Sequence, residues 1–284
     1  MSRAVRILGT VVPRVAAHRT APVRASPAGT AASPALRIAG AVVVASAVGW
    51  FSSMPPMDEM PMPGGWTMSM TWMRMPEQSW SGAAASFLAM WLAMMAAMMM
   101  PSLVPILERF RHTAASNGKA RQGYPTAVLA LGYLVVWTLL GTILYPVGVA
   151  LASAAMRHPG ISRAVPTAVA AVFLIAGSLQ FTAWKARHLV CCRSSAWLTA
   201  SLPPDAGSAW RHGARLGIHC ICSCAGVTAM LLVVGAMDLG AMALATAAVT
   251  AERLAPNGER VARAIGVAAT AAGVVLALRA GGYA

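Results

Sequence analysis

The sequence predicts an all-α protein, a polytopic bundle of six or seven transmembrane helices. Three observations predict it. Of 284 residues, 58% are hydrophobic and only 11% charged, whereas soluble domains carry about a quarter charged residues. Apolar runs near 37–53, 83–104, 125–150, 164–184, 215–236, 239–254 and 262–280 approach the ~20 residues a helix needs to cross a bilayer. Basic residues also segregate between alternate loops. With the N-terminus in the cytoplasm, 18 of the 22 Lys and Arg fall on the cytoplasmic side, and only Arg74, Arg157, Arg163 and Arg279 on the other. That asymmetry fixes the orientation. Alternating ten-residue strands of the barrel type are absent.

In chain order, residues 1–36 read as a disordered basic cytoplasmic tail, acid-free and rich in Ala, Arg, Ser and Pro. "ASA" at 45–47 resembles a cleavage site, but the apolar run before it is short and the charged region long. Span 37–53 therefore reads as an uncleaved anchor. Residues 37–284 form one transmembrane domain. The pair 215–236 and 239–254, joined by a tight turn at Asp238, is either two spans or a re-entrant hairpin. The net charge of +14 is spread over loops that face anionic lipid headgroups, so the bilayer is the expected partner and nucleic acid is not. The predicted location is a membrane crossed several times, with the N-terminus in the cytoplasm.

Between the first two spans lies "MPPMDEMPMPGGWTMSMTWMRMP", residues 54–76, with eight methionines. Pro and Gly bar it from regular helix. Met54, Met57, Met60 and Met62, then Met68, Met70, Met73 and Met75, recur at M-x-M and M-x-x-M spacings that let thioethers converge on one ion. A thioether is soft and uncharged; it suits Cu(I) or Ag(I) and is a poor ligand for Zn(II), Mg(II) or Ca(II). A merely lipid-facing segment would use Leu, Ile and Phe, and 54–76 contains none. In the next span Met90, Met94 and Met98 follow an i, i+4, i+8 row, with Met95 and Met99 in an adjacent row. Fourteen of the 19 methionines lie between 54 and 100. Pro101 and Pro105 are expected to kink or end this span.

The five cysteines gather toward the cytoplasmic end. "KARHLVCCR" (185–193) and "RHGARLGIHCICSCAG" (211–226) supply His188, Cys191, Cys192, His212, His219, Cys220, Cys222 and Cys224. Steps of two along a helix turn by about 200°, so C-x-C-x-C at 220–224 implies a helix that starts later or is locally broken. Metal ligation is the preferred role of this cluster. Paired C-x-x-C zinc spacing is missing. Vicinal Cys191–Cys192 keeps a thiol–disulfide oxidoreductase open as an alternative, and a structural membrane subunit is another. Acids are few: Asp238 sits at the outer turn, and Glu252 is expected to pair with its neighbour Arg253. No Walker loop, GxGxxG, HExxH or Ser–His–Asp order is present, so neither an ATP-driven pump nor an enzyme is expected.

"MWLAMMAAMMMPSLVP" (90–105), "LGYLVVWT" (131–138), "LQFTAWK" (179–185) with "CR" (192–193), "MLLVVGAMDLGAM" (230–242) and "AERLAPNG" (251–258) resemble a bacterial family of predicted metal-binding integral membrane proteins, a domain of unknown function. The resemblance covers roughly 80–275. Members usually carry Cys-Leu-x-x-Cys-Arg after the Lys; here the positions read His188, Leu189, Cys192, Arg193, with Cys191 added. Members also show Cys-x-Gly-Cys-Cys-Trp, where this chain has Cys222-Ser223-Cys224-Ala225-Gly226-Val227. The resemblance implies a membrane location and copper supply to oxidases. The expectation is a Cu(I)-binding membrane protein that exchanges copper with a donor or acceptor protein.

Overall fold

The computed structural model describes residues 60–75, 77–116, 123–193, 206–235 and 238–282, together with positions 41, 45 and 49. The expected tail, most of the expected first span, and Met54 and Met57 lie outside the described residues.

Within the Met-rich segment, residues 60–68 form a small hairpin. Strand β1 (Met60–Met62) pairs antiparallel with β2 (Trp66–Met68). The turn is Pro63-Gly64-Gly65, in which Gly64 and Gly65 take φ of 110° and 74°, a region where a Cβ is penalised. A 3-10 turn follows at Met70–Trp72. Among the described residues the polypeptide then enters seven helices: α1 (Trp80–Ser116), α2 (Gly123–Arg157), α3 (Pro159–Leu179), α4 (Ala183–Arg193), α5 (Ala206–Val234), α6 (Leu239–Leu254) and α7 (Gly258–Ala280). The all-α bundle expected from composition is observed, with the hairpin as its one β element among the described residues.

Helices α1, α2, α3, α5 and α7 are long and apolar enough to cross a membrane. Helix α6 is not: its 16 residues fall short of the ~20 a crossing needs, which corrects the expected span at 239–254. Other boundaries also shift. Pro101 and Pro105 do not end α1, which runs on to Ser116. The stretch 185–193 is helical. Helix α5 passes through 220–224 without a break, so the expected interruption at C-x-C-x-C does not occur.

Local chemistry sets several ends. Pro159 opens α3, where its missing N–H costs nothing. Asp238 caps α6, its Oδ1 accepting from the Ala241 backbone N–H at 2.7 Å. Asp238→Ala is expected to lower stability by about 1 kcal/mol, read as a small drop in the thermal transition of the detergent-solubilised protein.

Helices α2 and α5 run parallel and nearly touch. A Cβ at Gly213 would stand 2.0 Å from the Leu129 carbonyl oxygen, and one at Gly217 would stand 2.9 Å from Val136 Cβ. Small residues four apart let helix backbones approach in this way. Because the obstacle at Gly213 is backbone, Gly213→Val should exceed the ~1–3 kcal/mol of ordinary overpacking. Gly160→Val, where a Cβ meets nothing within 4 Å, is the control. Yield of monodisperse protein should fall for the first and hold for the second. Helix α1 lies antiparallel to α2, and its buried face, Phe87, Met90, Trp91, Met94, Met95, Met98 and Met99, occupies the core.

Candidate metal centre

Two sulfur-bearing regions emerge, joined by α1. At the first, the hairpin register places Met60 opposite Met68 and Met62 opposite Trp66. Strand alternation puts these four on one face and Pro61 and Thr67 on the other. Burial agrees: Pro61 and Thr67 are exposed, Met60, Met62 and Trp66 half-buried and Met68 buried. Trp66 Nε1 donates to the Ser162 carbonyl at 2.9 Å, and Ser162 Oγ donates to the Pro63 carbonyl at 2.6 Å, tying the hairpin to the start of α3. Met73 is half-buried and Met75 exposed; Met70 opens the 3-10 turn.

From there an aromatic column leads inward: Trp72 against Phe87, Phe87 against Trp91, and Trp91 against Trp137 at centroid distances of 5.3, 6.1 and 6.3 Å. Trp91 Nε1 donates to the Trp137 carbonyl. Beside it run Met90, Met94 and Met98, with Met95 and Met99, all 5% exposed or less. From Met90 to Met99 the helix rises about 13 Å.

The row ends at the second region. Met99 Sδ lies 3.7 Å from Cys220 Sγ on α5. Around that thiol stand Tyr133 Oη at 3.0 Å and the Arg253 guanidinium at 2.8 Å. Arg253 also donates to Ser102 Oγ at 3.0 Å and to Ser223 Oγ at 3.3 Å. Glu252 does not pair with Arg253 as expected. Both its oxygens receive Lys185 Nζ at 2.8 Å, with both side chains buried. A guanidinium removed from water requires counter-charge. Among the described residues, the Cys220 sulfur is the ionisable group within hydrogen-bond reach of Arg253. A cysteine sulfur beside a thioether is a soft donor pair suited to a d10 cation.

The other predicted ligands divide. Cys224, one turn beyond Cys220 on the same face, meets its thiol and accepts from Thr228 Oγ1 at 3.7 Å. Cys222 is half-buried on another side of α5, so the three cysteines do not share a site. Cys192, buried on α4, contacts Ser223 Oγ at 3.7 Å, and burial pushes its thiol up to about 11. Cys191 is half-buried beside it, and none of the five cysteines forms a disulfide. His188 and His219 meet Nδ1 to Nδ1 at 2.9 Å; burial, then the neighbouring His219, holds His188 below the usual imidazole range. Among the described residues no three His, Cys, Asp or Glu side chains converge on a metal position. The second region is therefore built with methionine.

Sequence reasoning passed over Met99, Tyr133, Ser223 and Arg253 as site residues. Met99 was legible as the neighbour row of Met95. Arg253 was legible only as a cation closing an apolar run.

Fold and site together define a helical bundle with a sulfur-lined interior and the means to cross a membrane. Residues 88–276 match the family described as PpoB2, copper chaperone, and the chain belongs to that family. This associates the chain with copper. No curated protein and no solved structure matches it.

Proposed function

We propose that the protein is an integral membrane carrier of Cu(I), resident in a bacterial inner membrane with its N-terminus in the cytoplasm. Copper is its cargo. The ion passes along the methionine rows of α1 to Cys220 and is exchanged with a soluble or membrane partner, an oxidase that needs copper being one recipient class. The observation that carries this reading is the 3.7 Å contact between Met99 Sδ and Cys220 Sγ, which joins a buried thioether row to a thiol held beside a guanidinium. Ligand exchange between two or three soft donors moves Cu(I) without a hydrated intermediate, and thioethers stay uncharged throughout. With no nucleotide-binding motif, the transfer runs down a gradient of affinity.

The test is anaerobic titration of the purified protein with Cu(I) against a chromophoric chelator. Replacement of Met90, Met94, Met98 and Met99 by Leu preserves volume while removing sulfur. Binding or transfer should weaken in that set and in Cys220→Ser. Unchanged binding in both would overturn the reading.

A further inference from the structure

The hairpin lies upstream of residues 88–276, the segment matched by the family, so family membership says nothing about it. Its register restricts which of the clustered methionines can act together. Met60 and Met68 are direct cross-strand partners, and directly opposed residues have Cβ atoms about 4.5–5.5 Å apart. Two unbranched methionine side chains starting that close can place both sulfurs on one ion. Met62 shares the face, one pleat along, and its cross-strand partner is Trp66. An indole is the best of the aromatic faces for a cation.

We infer that the hairpin is itself a metal site: Met60, Met62 and Met68 form a three-thioether seat for one Cu(I) or Ag(I), with Trp66 as its aromatic wall. Three further observations support it. The face is turned inward, with Met68 only 4% exposed, so a bound ion is shielded from water. A two-stranded hairpin is marginal alone, yet this one is pinned to α3 through Trp66 and Ser162 and closed by Gly64-Gly65, so the donors are pre-positioned. The inward face could be filled equally well by Leu, but the segment uses none. Among the described residues, the face of Met60, Met62, Trp66 and Met68 offers no carboxylate, imidazole or thiol, so hard and borderline divalent cations gain nothing from it. Because thioethers carry no proton, binding persists as the medium turns acid. The site deepens the carrier reading by giving it a capture point, and it rests on that reading only for its role, not for its existence.

The experiment uses the full chain in detergent or nanodiscs, Ag(I) as an air-stable probe and Cu(I) under anaerobic conditions. The wild type should bind one ion more than Met60→Leu/Met68→Leu. Affinity at that site should fall by at least the ~10-fold that losing even an outer-shell partner costs a metal site. Trp66→Phe should keep the ion but lose the metal-induced fluorescence change assigned to Trp66 by difference from wild type. Met156→Leu, exposed on α2 and in none of the methionine clusters, should behave as wild type, and Zn(II) should not compete. Methyl NMR signals of Met60, Met62 and Met68 should shift together on Ag(I) addition to the unmodified protein, a readout free of any folding defect. If hairpin variants bind as wild type and those methyl signals stay still while Cys220→Ser loses copper, the hairpin site is wrong and the carrier reading stands. If the hairpin variants lose an ion while Cys220→Ser and the α1 Leu set do not, the hairpin site holds and the carrier route fails.

Discussion

Cys220→Ser is expected to abolish retention of Cu(I) in the bundle, whereas Cys222→Ser, two residues away, leaves it within about twofold of wild type, far below the ~10–100-fold that even outer-shell losses cost a metal site. The contrast follows from helix geometry. Cys220 is fully buried, faces Met99 Sδ and is held by Arg253 and Tyr133. Cys222 is turned by about 200° onto a half-buried surface. Serine keeps the size of the side chain but substitutes a hard oxygen for a soft sulfur, so the fold survives and the ligand does not. Chelator competition on both variants measures the difference directly. Equal losses in the two would mean that the cysteines act as a group, contrary to their placement. Met99→Leu supplies the partner measurement: it removes the thioether at 3.7 Å and should weaken retention without touching the thiol.

The features legible in the sequence are those set by local periodicity. Met90, Met94 and Met98 read as one helical row because side chains four apart share a face, and all three are buried in the core. The apolar runs near 83–104, 125–150, 164–184, 215–236, 239–254 and 262–280 became helices. What escaped depends on contacts between distant residues. Arg253 counted as one more loop cation, yet it reaches Ser102, 151 positions away, and Cys220, 33 away. Glu252 sits beside Arg253, so pairing was the local expectation; Lys185, 67 positions off, takes the carboxylate instead. C-x-C-x-C looked like a helix breaker because three neighbouring cysteines were assumed to share one task. A continuous α5 assigns Cys220 and Cys224 to one face and Cys222 to another, and no backbone break is required. Pro63-Gly64-Gly65 did carry a readable turn signal, but three-residue strands are too short for alternation to announce a hairpin.

Lys185→Met should be among the most destabilising single changes in the protein, on the order of 3–5 kcal/mol, because it strands the Glu252 carboxylate in an apolar interior. Both oxygens of Glu252 receive Lys185 Nζ at 2.8 Å, and the two side chains are 5% and 2% exposed. A carboxylate so enclosed has no water to turn to once the ammonium is gone. Glu252→Leu alone strands the ammonium with the same consequence. The double variant Lys185→Met/Glu252→Leu removes both charges and fills the space with apolar atoms, and such replacements are often neutral or stabilising by about 1–4 kcal/mol. Thermal inactivation of the solubilised protein should therefore show two short-lived single variants and a recovered double. That pattern separates a buried pair from a pair of independent contacts, for which the two losses would add. It also bears on the metal region. Glu252 adjoins Arg253, and the Arg193 guanidinium donates to the Glu252 carbonyl at 2.7 Å, so the ion pair fixes the end of α6 from which Arg253 reaches Cys220. If the pair positions that end, the single variants should weaken Cu(I) retention together with stability. The double variant should then restore stability more completely than retention, since the Arg193 contact remains but nothing re-creates the Lys185–Glu252 link.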